Sequence, residues 1–431
     1  MNQAANISSV DGPSNHSIAP ESKPARLKIA LLGYRSHPFV GGQGIYLRYL
    51  SRALQALGHE VHVLSGQPYP KLDEGIRLIK IPGLNLYENE RPFRALRFHH
   101  FRSKTDIQEW WGKASGAFVE PYCFGRRVEK YLRNKHYDII HDNQSLSSAL
   151  LKLQRQGKAV ITTVHHPIHL DRDIALAAAE SWGHRTLIRR WYNFLKMQQN
   201  VISKLHHVVT VSKTSQQDIA KHFSRPEPQT PIIFNGIDTN LFRPLPESSD
   251  NAFQILSTAS SDQPLKGLSI LLRAMDQLRT KFPNIELHLI GKLEKNGANE
   301  KLIKQLKLEK HIRCSHSLSN SELVQAYNQA CLVVCPSLYE GFGLPAGEAM
   351  ACEKAVIGSR SGALPEVIGD AGILFEAGNS LELSEKISEL FSNKTLRNTL
   401  GKSARKRIEK TFSWQKVALE FEHYYYTKIL N

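Results

Sequence analysis

Two glutamates, Glu340 and Glu348, stand eight positions apart around a glycine-rich turn that follows a short apolar run. Pro345 suits the first turn of a helix, which places Glu348 on the ligand-facing side of that helix. One carboxylate can accept hydrogen bonds from sugar hydroxyls and the other from a ribose diol. A helix that carries Glu early because its dipole favours acids would explain Glu348, but not Glu340 or the glycines. The turn also presents backbone amides, those of Phe342, Gly343 and Leu344.

Two further glycine turns precede predicted helices and could hold an anion. The segment GGQG at residues 41–44 leads into one helix, and Lys266 stands directly before another. Backbone N–H groups at a helix start can approach a phosphate where no side chain intervenes, and a lysine adds a point charge. A turn that only starts a helix and an ordinary surface lysine are the simpler interpretations of each motif alone. We expect the two turns together to form a phosphate-binding site.

A nicotinamide-dependent dehydrogenase is the obvious alternative, because Gly42 and Gly44 resemble the start of a dinucleotide-binding fingerprint. Three features oppose it. The third glycine position is occupied by Leu47, the loop over residues 33–40 is too long for the tight turn, and Glu60 precedes the second predicted strand instead of ending it.

Patterns typical of metal ligands are weak. Asp171 and Asp173 form an Asp-x-Asp string, but an alanine-rich helix follows, so that either residue is a good N-cap or an acceptor contact. Cys331 and Cys335 have no second Cys or His pair at zinc spacing. We therefore expect no metal site and no cofactor.

The elements that must position these residues alternate between strands and helices. From Leu27 the chain reads as a strand, a loop and a helix, and the alternation continues to about residue 211. It restarts at Phe253 and continues to about residue 375. Strands separated by helices predict parallel sheets covered on both faces. The sequence thus predicts an α/β fold with two Rossmann-like, doubly wound parallel-sheet domains that face each other across a ligand-binding cleft.

The same patterns suggest domain boundaries. Residues 1–24 are read as a disordered tail, 25–236 as the first domain, and 237–412 as the second. Residues 413–431 are read as a helix, aromatic on one side, that could pack back on the first domain. The stretch 91–135 is predicted to form helices or loops that cover the first sheet.

Charge is unevenly distributed along the 431 residues, whose formal net charge is +16. Residues 1–236 contain 32 Lys and Arg against 18 Asp and Glu, so we expect an anionic partner or an anionic membrane face there. No nucleic-acid-binding fingerprint occurs, and we expect no nucleic acid partner. The first residues lack the features of a signal peptide, and no run of eighteen apolar residues occurs. We therefore expect a cytoplasmic protein with at most peripheral membrane contact.

Four motifs in order carry a resemblance to a known family. They are GGQG at residues 41–44, FNGID at 234–238, PLKG at 264–267 and EGFGLPAGEAMA at 340–351. From about Lys28 to Trp414 the chain resembles glycosyltransferase family 4, whose members are retaining enzymes with the two-domain GT-B fold. The resemblance implies an acceptor-binding first domain and a donor-binding second domain.

The resemblance also implies roles for the residues singled out above. Gly42 and Gly44 would approach the phosphates of the donor, and Lys266 would bind its diphosphate. Glu340 would contact the donor sugar and Glu348 the ribose, with the amides of the 342–344 turn close to the donor.

The position similar to the family's active-site histidine is His165, with His166 as a less favoured substitute. The resemblance therefore assigns catalysis to His165, Glu340 and Lys266. Many relatives have an arginine six residues before the lysine, where this chain has Ser260, which offers a hydroxyl and an amide instead. The acceptor side is expected near Asp142, Asn143 and His166.

The resulting expectation is a retaining, metal-independent hexosyltransferase that moves a sugar from a UDP- or GDP-sugar to a glycan or lipid-linked acceptor. A role in cell-envelope polysaccharide or glycolipid biosynthesis is expected. Two alternatives remain open at this point. One is a nucleotide-sugar epimerase of similar architecture, and the other is a non-catalytic module that binds sugar nucleotides.

Overall fold

The fold is seen in a computed structural model. It describes residues 25–37, 42–86, 96, 98–177, 179, 181–246, 251–258 and 264–430. The predicted tail over residues 1–24 and the candidate donor residue Ser260 lie outside these residues.

The first half of the chain forms a six-stranded parallel sheet with the order β3-β2-β1-β4-β5-β6. Its strands are β1 (Lys28–Gly33), β2 (Glu60–Ser65), β3 (Arg77–Lys80), β4 (Ile139–Asn143), β5 (Val160–Val164) and β6 (His207–Thr210). Its helices are α1 (Gln43–Ala56), α2 (Lys104–Ala114), α3 (Glu120–Leu132), α4 (Ser148–Arg155), α5 (His169–Ala177), α6 (Trp182–Trp191), α7 (Phe194–Ile202) and α8 (Lys213–Phe223).

The second half forms another six-stranded parallel sheet, with the order β12-β11-β10-β7-β8-β9. Its strands are β7 (Gln254–Thr258), β8 (Glu286–Ile290), β9 (Ile312–Ser315), β10 (Leu332–Cys335), β11 (Val356–Ser359) and β12 (Ile373–Phe375). Its helices are α9 (Leu268–Leu278), α10 (Ala298–Gln305), α11 (Asn320–Gln329), α12 (Leu344–Ala351), α13 (Leu364–Ile368), α14 (Ser380–Ser392) and α15 (Lys394–Thr411).

Burial on both faces explains why the strands read as apolar runs. Every residue of β4, β5 and β10 is buried, as parallel strands covered by helices require. The edge strand β3 differs, because its end residues Arg77 and Lys80 are exposed. Its short half-exposed sequence gave no strand signal, and the sequence analysis missed it. The prediction of two doubly wound parallel sheets is confirmed.

The C-terminal segment crosses back to the first sheet. The last helix, α16 (Trp414–Tyr424), packs against α1, and a π-helical turn follows over Tyr425–Ile429. Phe421 and Tyr425 are buried in the first core, where the Tyr425 hydroxyl lies 2.7 Å from Nδ1 of His141. The two segments that connect the halves of the chain meet where the N–H of Ile237 donates to the carbonyl of Phe412 at 2.6 Å. The chain therefore passes between its halves twice at one place.

Among the described residues, no helix is both long and apolar enough to cross a bilayer.

Candidate functional site

A cleft with about 1250 Å³ of empty space lies between the two sheets. The first half lines it with Gly42, Tyr46, Tyr49, His165 and His166, among others. The second half contributes Lys266, Glu340, Phe342, Gly343, Leu344 and Glu348. The two crossing segments contribute residues 235–238 and Trp414. The cleft thus brings together most of the residues that the sequence singled out.

Lys266 and Glu340 contact each other on the side of the cleft that the second half forms. Nζ of Lys266 lies 2.7 Å from Oε1 of Glu340, which also accepts a hydrogen bond from the Ser337 hydroxyl at 2.9 Å. Gly267, with φ of 65°, lets the start of α9 pack against the backbone of Pro336, because a Cβ there would lie 2.0 Å from the carbonyl oxygen of Pro336. Lys266, predicted to bind phosphate, and Glu340, predicted to contact the sugar, come from two distant motifs and are direct neighbours in the fold.

Glu348 lies in the second turn of α12, which starts after Gly343 with φ of 96°. Oε2 of Glu348 accepts a hydrogen bond from the Tyr327 hydroxyl at 2.9 Å. Burial raises the pKa of Glu348 to about 7, against a smaller lowering by that hydrogen bond. The carboxylate is therefore held at the cleft with one acceptor oxygen engaged and with an ionisation poised near neutral pH.

His165 follows β5 and reaches the cleft from the opposite side. Its Nε2 lies 2.6 Å from Oδ1 of Asn143, and the ring of Tyr46 packs edge-on against the imidazole with centroids 4.6 Å apart. Burial lowers the pKa of His165 to about 3, and the neighbouring His166 is a second, smaller cause of this lowering. The imidazole is therefore neutral at physiological pH.

The glycine-rich segment at the start of α1 has two glycines with different surroundings. Gly42, with φ of 71°, lines the cleft, and a Cβ there would meet no atom within 4 Å. Gly44 does not line the cleft, because it packs on the backbone, where a Cβ would lie 2.3 Å from the carbonyl oxygen of His37. Its expected approach to the donor phosphates stays a prediction. Its lack of a side chain serves close packing of the helix.

The residues expected on the acceptor side also differ in whether they line the cleft. Asp142 is fully buried, and Oδ2 accepts hydrogen bonds from the Thr162 hydroxyl at 2.9 Å and the Leu146 N–H at 3.1 Å. Burial raises the pKa of its carboxyl, against these hydrogen bonds. Asp142 therefore stabilises the turn after β4 and is not among the residues that line the cleft, and its expected place on the acceptor side stays a prediction. Asn143 contacts His165, and His166 lines the cleft.

The Asp-x-Asp string caps no helix. Helix α5 begins at His169, so Asp171 is already within its first turn, and Oδ2 of Asp171 lies 3.6 Å from Nε2 of His166. Asp173 contacts Arg172. No group of three or more His, Cys, Asp or Glu side chains in the described ranges is arranged to hold a metal ion.

Several cleft residues were missed by the sequence analysis. Tyr46 and Tyr49 of α1 pack on the indole of Trp414, with ring centroids 5.6 and 5.7 Å away. Gly236 makes room for this indole, since a Cβ there would lie 2.3 Å from it. The FNGID motif and the aromatic face of the last helix were the available signals, but their meeting depends on the return of the chain.

Solved structures share this architecture. Sucrose-phosphate synthase (tll1590) from Thermosynechococcus elongatus aligns with a TM-score of 0.70 at 23% identity, over 93% of this chain and 98% of that chain. Anabaena Alr3699/HepE in complex with UDP and glucose aligns with a TM-score of 0.68 at 17% identity, over 93% of this chain and 100% of that one. The two facing sheets and the cleft between them define a protein of the GT-B fold.

Sequence comparison gives the family. The model described as Glycosyltransferase Family 4 matches residues 40–241, and that described as Glycosyl transferases group 1 matches residues 245–407. The "MMP alpha-(1->4)-mannosyltransferase" of Mycolicibacterium hassiacum is 42% identical over 91% of this chain and 96% of its own length. The chain belongs to glycosyltransferase family 4, and it is a glycosyltransferase.

Proposed function

We propose that the chain is a retaining, metal-independent mannosyltransferase that uses a nucleoside-diphosphate mannose, with GDP or UDP as the nucleotide. The sugar and an α-(1→4) linkage are proposed from the relative at 42% identity, which is named for that transfer. The acceptor is a glycan or a lipid-linked glycan, and the pathway is the synthesis of a cell-envelope polysaccharide or glycolipid.

The contact between Lys266 and Glu340 is the observation that carries this proposal. The Lys266 ammonium and the Glu340 carboxylate, proposed to bind the diphosphate and the sugar, are 2.7 Å apart in a cleft that His165 lines from the opposite side. The turn at Gly341 lies against His165 and His166, since a Cβ at Gly341 would be 3.1 Å from the carbonyl oxygen of His165. A donor bound at Lys266 would therefore have its sugar between Glu340 and the imidazole.

Cleavage of the bond between the anomeric carbon and the phosphate oxygen builds negative charge on the leaving diphosphate. Lys266 and the N–H groups at the start of α12 and α9 can stabilise that charge without a metal ion. The acceptor hydroxyl enters on the face that the diphosphate leaves, forms the new carbon–oxygen bond, and passes its proton to a phosphate oxygen. Configuration at the anomeric carbon is thereby retained.

Donor identity is tested by thermal shift with GDP, UDP and ADP, followed by their mannose and glucose derivatives, because a ligand that binds only the folded state raises Tm. Transfer is then assayed on α-linked mannose oligosaccharides, with the anomer of the product read by NMR. Stabilisation by GDP-mannose or UDP-mannose and an α-linked product in excess chelator are expected. A product of inverted configuration or complete loss of transfer in chelator contradicts the proposal.

The two rival functions give different results in the same assay. An epimerase converts the free nucleotide sugar without acceptor, and a binding module releases no nucleotide. Acceptor-dependent nucleotide release is expected here, and its absence with every saccharide tried, together with conversion of the free donor, would favour the epimerase.

We also propose a cytoplasmic enzyme that contacts an anionic membrane through the first half. Exposed aromatic side chains support this contact, because aromatic and basic residues favour the membrane interface. Trp111 and Trp182 are 64% and 79% exposed on α2 and α6, and Arg189 and Arg190 lie on the latter helix. Co-sedimentation with phosphatidylglycerol vesicles at low salt is expected, with loss of binding in Trp111→Ser combined with Trp182→Ser. Equal sedimentation with neutral vesicles contradicts an electrostatic contact.

A further inference from the structure

Asn143 holds the side chain of His165 through one short hydrogen bond. The residue ends β4, and its Oδ1 lies 2.6 Å from Nε2 of His165. Asn143 is buried, with 1% of its surface exposed, which limits competition by water at its end of the bond. None of the roles proposed above for the donor, the leaving group or the acceptor uses this contact.

A second hydrogen bond fixes which end of the amide faces the imidazole. Nδ2 of Asn143 donates to the backbone carbonyl of Gln43 at 3.3 Å. The flipped amide would set its oxygen against that carbonyl oxygen, two acceptors with no proton between them. The oxygen of Asn143 therefore faces His165, and only a protonated Nε2 can form the bond.

We propose that Asn143 is a positioning residue that fixes His165 as the tautomer protonated on Nε2, leaving Nδ1 as a hydrogen-bond acceptor in the cleft. The inference rests on the proposed function, in which His165 faces the donor sugar. Within the described part of the chain, Nε2 is the imidazole nitrogen of His165 that has a hydrogen-bond partner, and His165 lines the cleft. A sugar hydroxyl can therefore donate to Nδ1.

The packing around the ring keeps this geometry. Tyr46 contacts the imidazole edge-on, and its hydroxyl lies 3.4 Å from the Thr163 hydroxyl, which lies 2.7 Å from Nε2 of His141. The backbone of His165 is held separately, because its N–H donates to Oε1 of Gln144 at 2.6 Å and its carbonyl accepts from the Ser215 hydroxyl at 2.9 Å. Removal of the Asn143 side chain therefore changes the tautomer without releasing the loop.

The chemistry of transfer favours a neutral ring at this position. Positive charge develops at the anomeric carbon, and an imidazolium beside it would oppose that charge, whereas a lone pair on Nδ1 would not. The titratable groups beside the ring are Tyr46, His141 and His166, and the cleft is also lined by Tyr49, Asp238, Lys266, Glu340 and Glu348. Burial lowers the pKa of His141 to about 3, so that neighbour is neutral as well.

The direct test reads the tautomer without any substrate, so its outcome is independent of the proposed function. In protein labelled with ¹⁵N-histidine, the signals of His165 are identified among the 19 histidines by their loss in His165→Gln. We expect an acceptor-type shift for Nδ1 and a protonated shift for Nε2. In Asn143→Leu, of similar volume, we expect a mixture or the opposite tautomer. A proton on Nδ1 in the unaltered protein, or an unchanged tautomer in Asn143→Leu, overturns the proposal.

The kinetic test uses Asn143→Asp, whose carboxylate keeps the acceptor but raises the pKa of His165. Below that raised pKa both nitrogens are protonated and transfer is lost. Above it the Nε2 tautomer returns, so kcat should recover to within about threefold of the unaltered enzyme, since the hydrogen bond is restored. Asn143→Leu should lower kcat about tenfold at every pH, because one hydrogen bond is lost.

Asn193→Asp supplies the matched control, because Asn193 is exposed and its side chain makes no capping bond. It should leave the pH profile unchanged. Equal losses in Asn143→Asp and Asn143→Leu at every pH, with circular dichroism unaltered, would reduce Asn143 to a structural residue and overturn the proposal. Absence of transfer by the unaltered enzyme with every donor would instead count against the proposed function and leave the ¹⁵N result standing.

Discussion

The Glu366 carboxylate of the second half caps the start of helix α8 in the first half. Its two oxygens accept hydrogen bonds from the backbone N–H groups of Lys213 at 2.6 Å and Thr214 at 2.9 Å. A helix start has unpaired N–H groups and a partial positive charge, and a carboxylate satisfies both. The cap therefore joins the two halves at the edge of the cleft, next to the contact of the Ser212 hydroxyl with the carbonyl of Gly341 at 3.0 Å.

Glu366→Ala should loosen the approach of the two halves. The variant leaves two N–H groups of α8 without their acceptor, at a cost of about 1 kcal/mol for the cap. We expect KM for the nucleotide sugar to rise about fivefold, because the donor must bridge a more open cleft. The radius of gyration without ligand should increase in small-angle scattering.

Glu385→Gln is the control for this prediction, since Glu385 is exposed on α14. It should change neither KM nor the scattering profile. An unchanged KM in Glu366→Ala would show that the cap is not needed to hold the cleft closed.

Lys266→Ala should impair transfer severely in a folded protein. The variant removes the ammonium group next to Glu340, and with it the charge proposed to meet the leaving diphosphate. Loss of one preorganised group at a developing charge costs about 10²–10³ in kcat. Steady-state transfer, with circular dichroism to establish folding, measures the effect. Lys310→Ala, on the exposed surface, should keep full activity. Near-normal transfer by Lys266→Ala would remove the assigned role.

The alternation of apolar runs and helices was enough to predict both sheets, because parallel strands buried on two faces leave a strong sequence signal. Which individual side chains point toward the cleft could not be predicted. Asp142 and Asn143 are adjacent at the end of β4, and successive side chains of a strand point to opposite faces. One therefore enters the turn and the other meets His165. Trp414 was missed as a cleft residue because its position depends on contacts between segments about 180 residues apart.

Substitutions of the two glycines at the start of α1, Gly42 and Gly44, should have opposite phenotypes. Gly44→Ala should destabilise the fold, because its Cβ would lie 2.3 Å from the carbonyl oxygen of His37 and 2.5 Å from that of Ser36. Overpacking against backbone costs about 1–3 kcal/mol, visible as a lower Tm. Gly42→Ala meets no atom, but φ of 71° strains a side chain by about 1 kcal/mol, and its methyl group stands at the cleft. It should raise Kd for the nucleotide more than it lowers Tm.

Comparison of the two variants by thermal melting and by nucleotide titration checks this prediction. A normal Tm for Gly44→Ala, together with a larger loss of nucleotide affinity than Gly42→Ala shows, would assign Gly44 to the phosphate site and contradict the packing role given to it.

Glu348 should link nucleotide binding to pH, and the sign of its effect on stability is opposite to the sign of its effect on function. Because burial raises its pKa to about 7, the folded protein holds a proton that the unfolded chain loses near pH 4.5. The free energy of unfolding therefore falls as pH rises between these values, by an amount on the order of 1–3 kcal/mol. The ribose contact predicted for Glu348 needs the ionised acceptor, so affinity for the nucleotide should rise with pH through about 7.

Glu348→Gln separates the two effects, because the amide retains an acceptor oxygen but does not ionise. At pH 8 the variant should melt at a higher temperature than the unaltered enzyme, whereas near pH 5 the two should melt alike. Its nucleotide Kd should be about tenfold higher at pH 8, as expected for loss of a charged hydrogen bond, and should no longer vary with pH. A Tm difference that is the same at both pH values would place the ionisation of Glu348 outside this range and contradict the assignment.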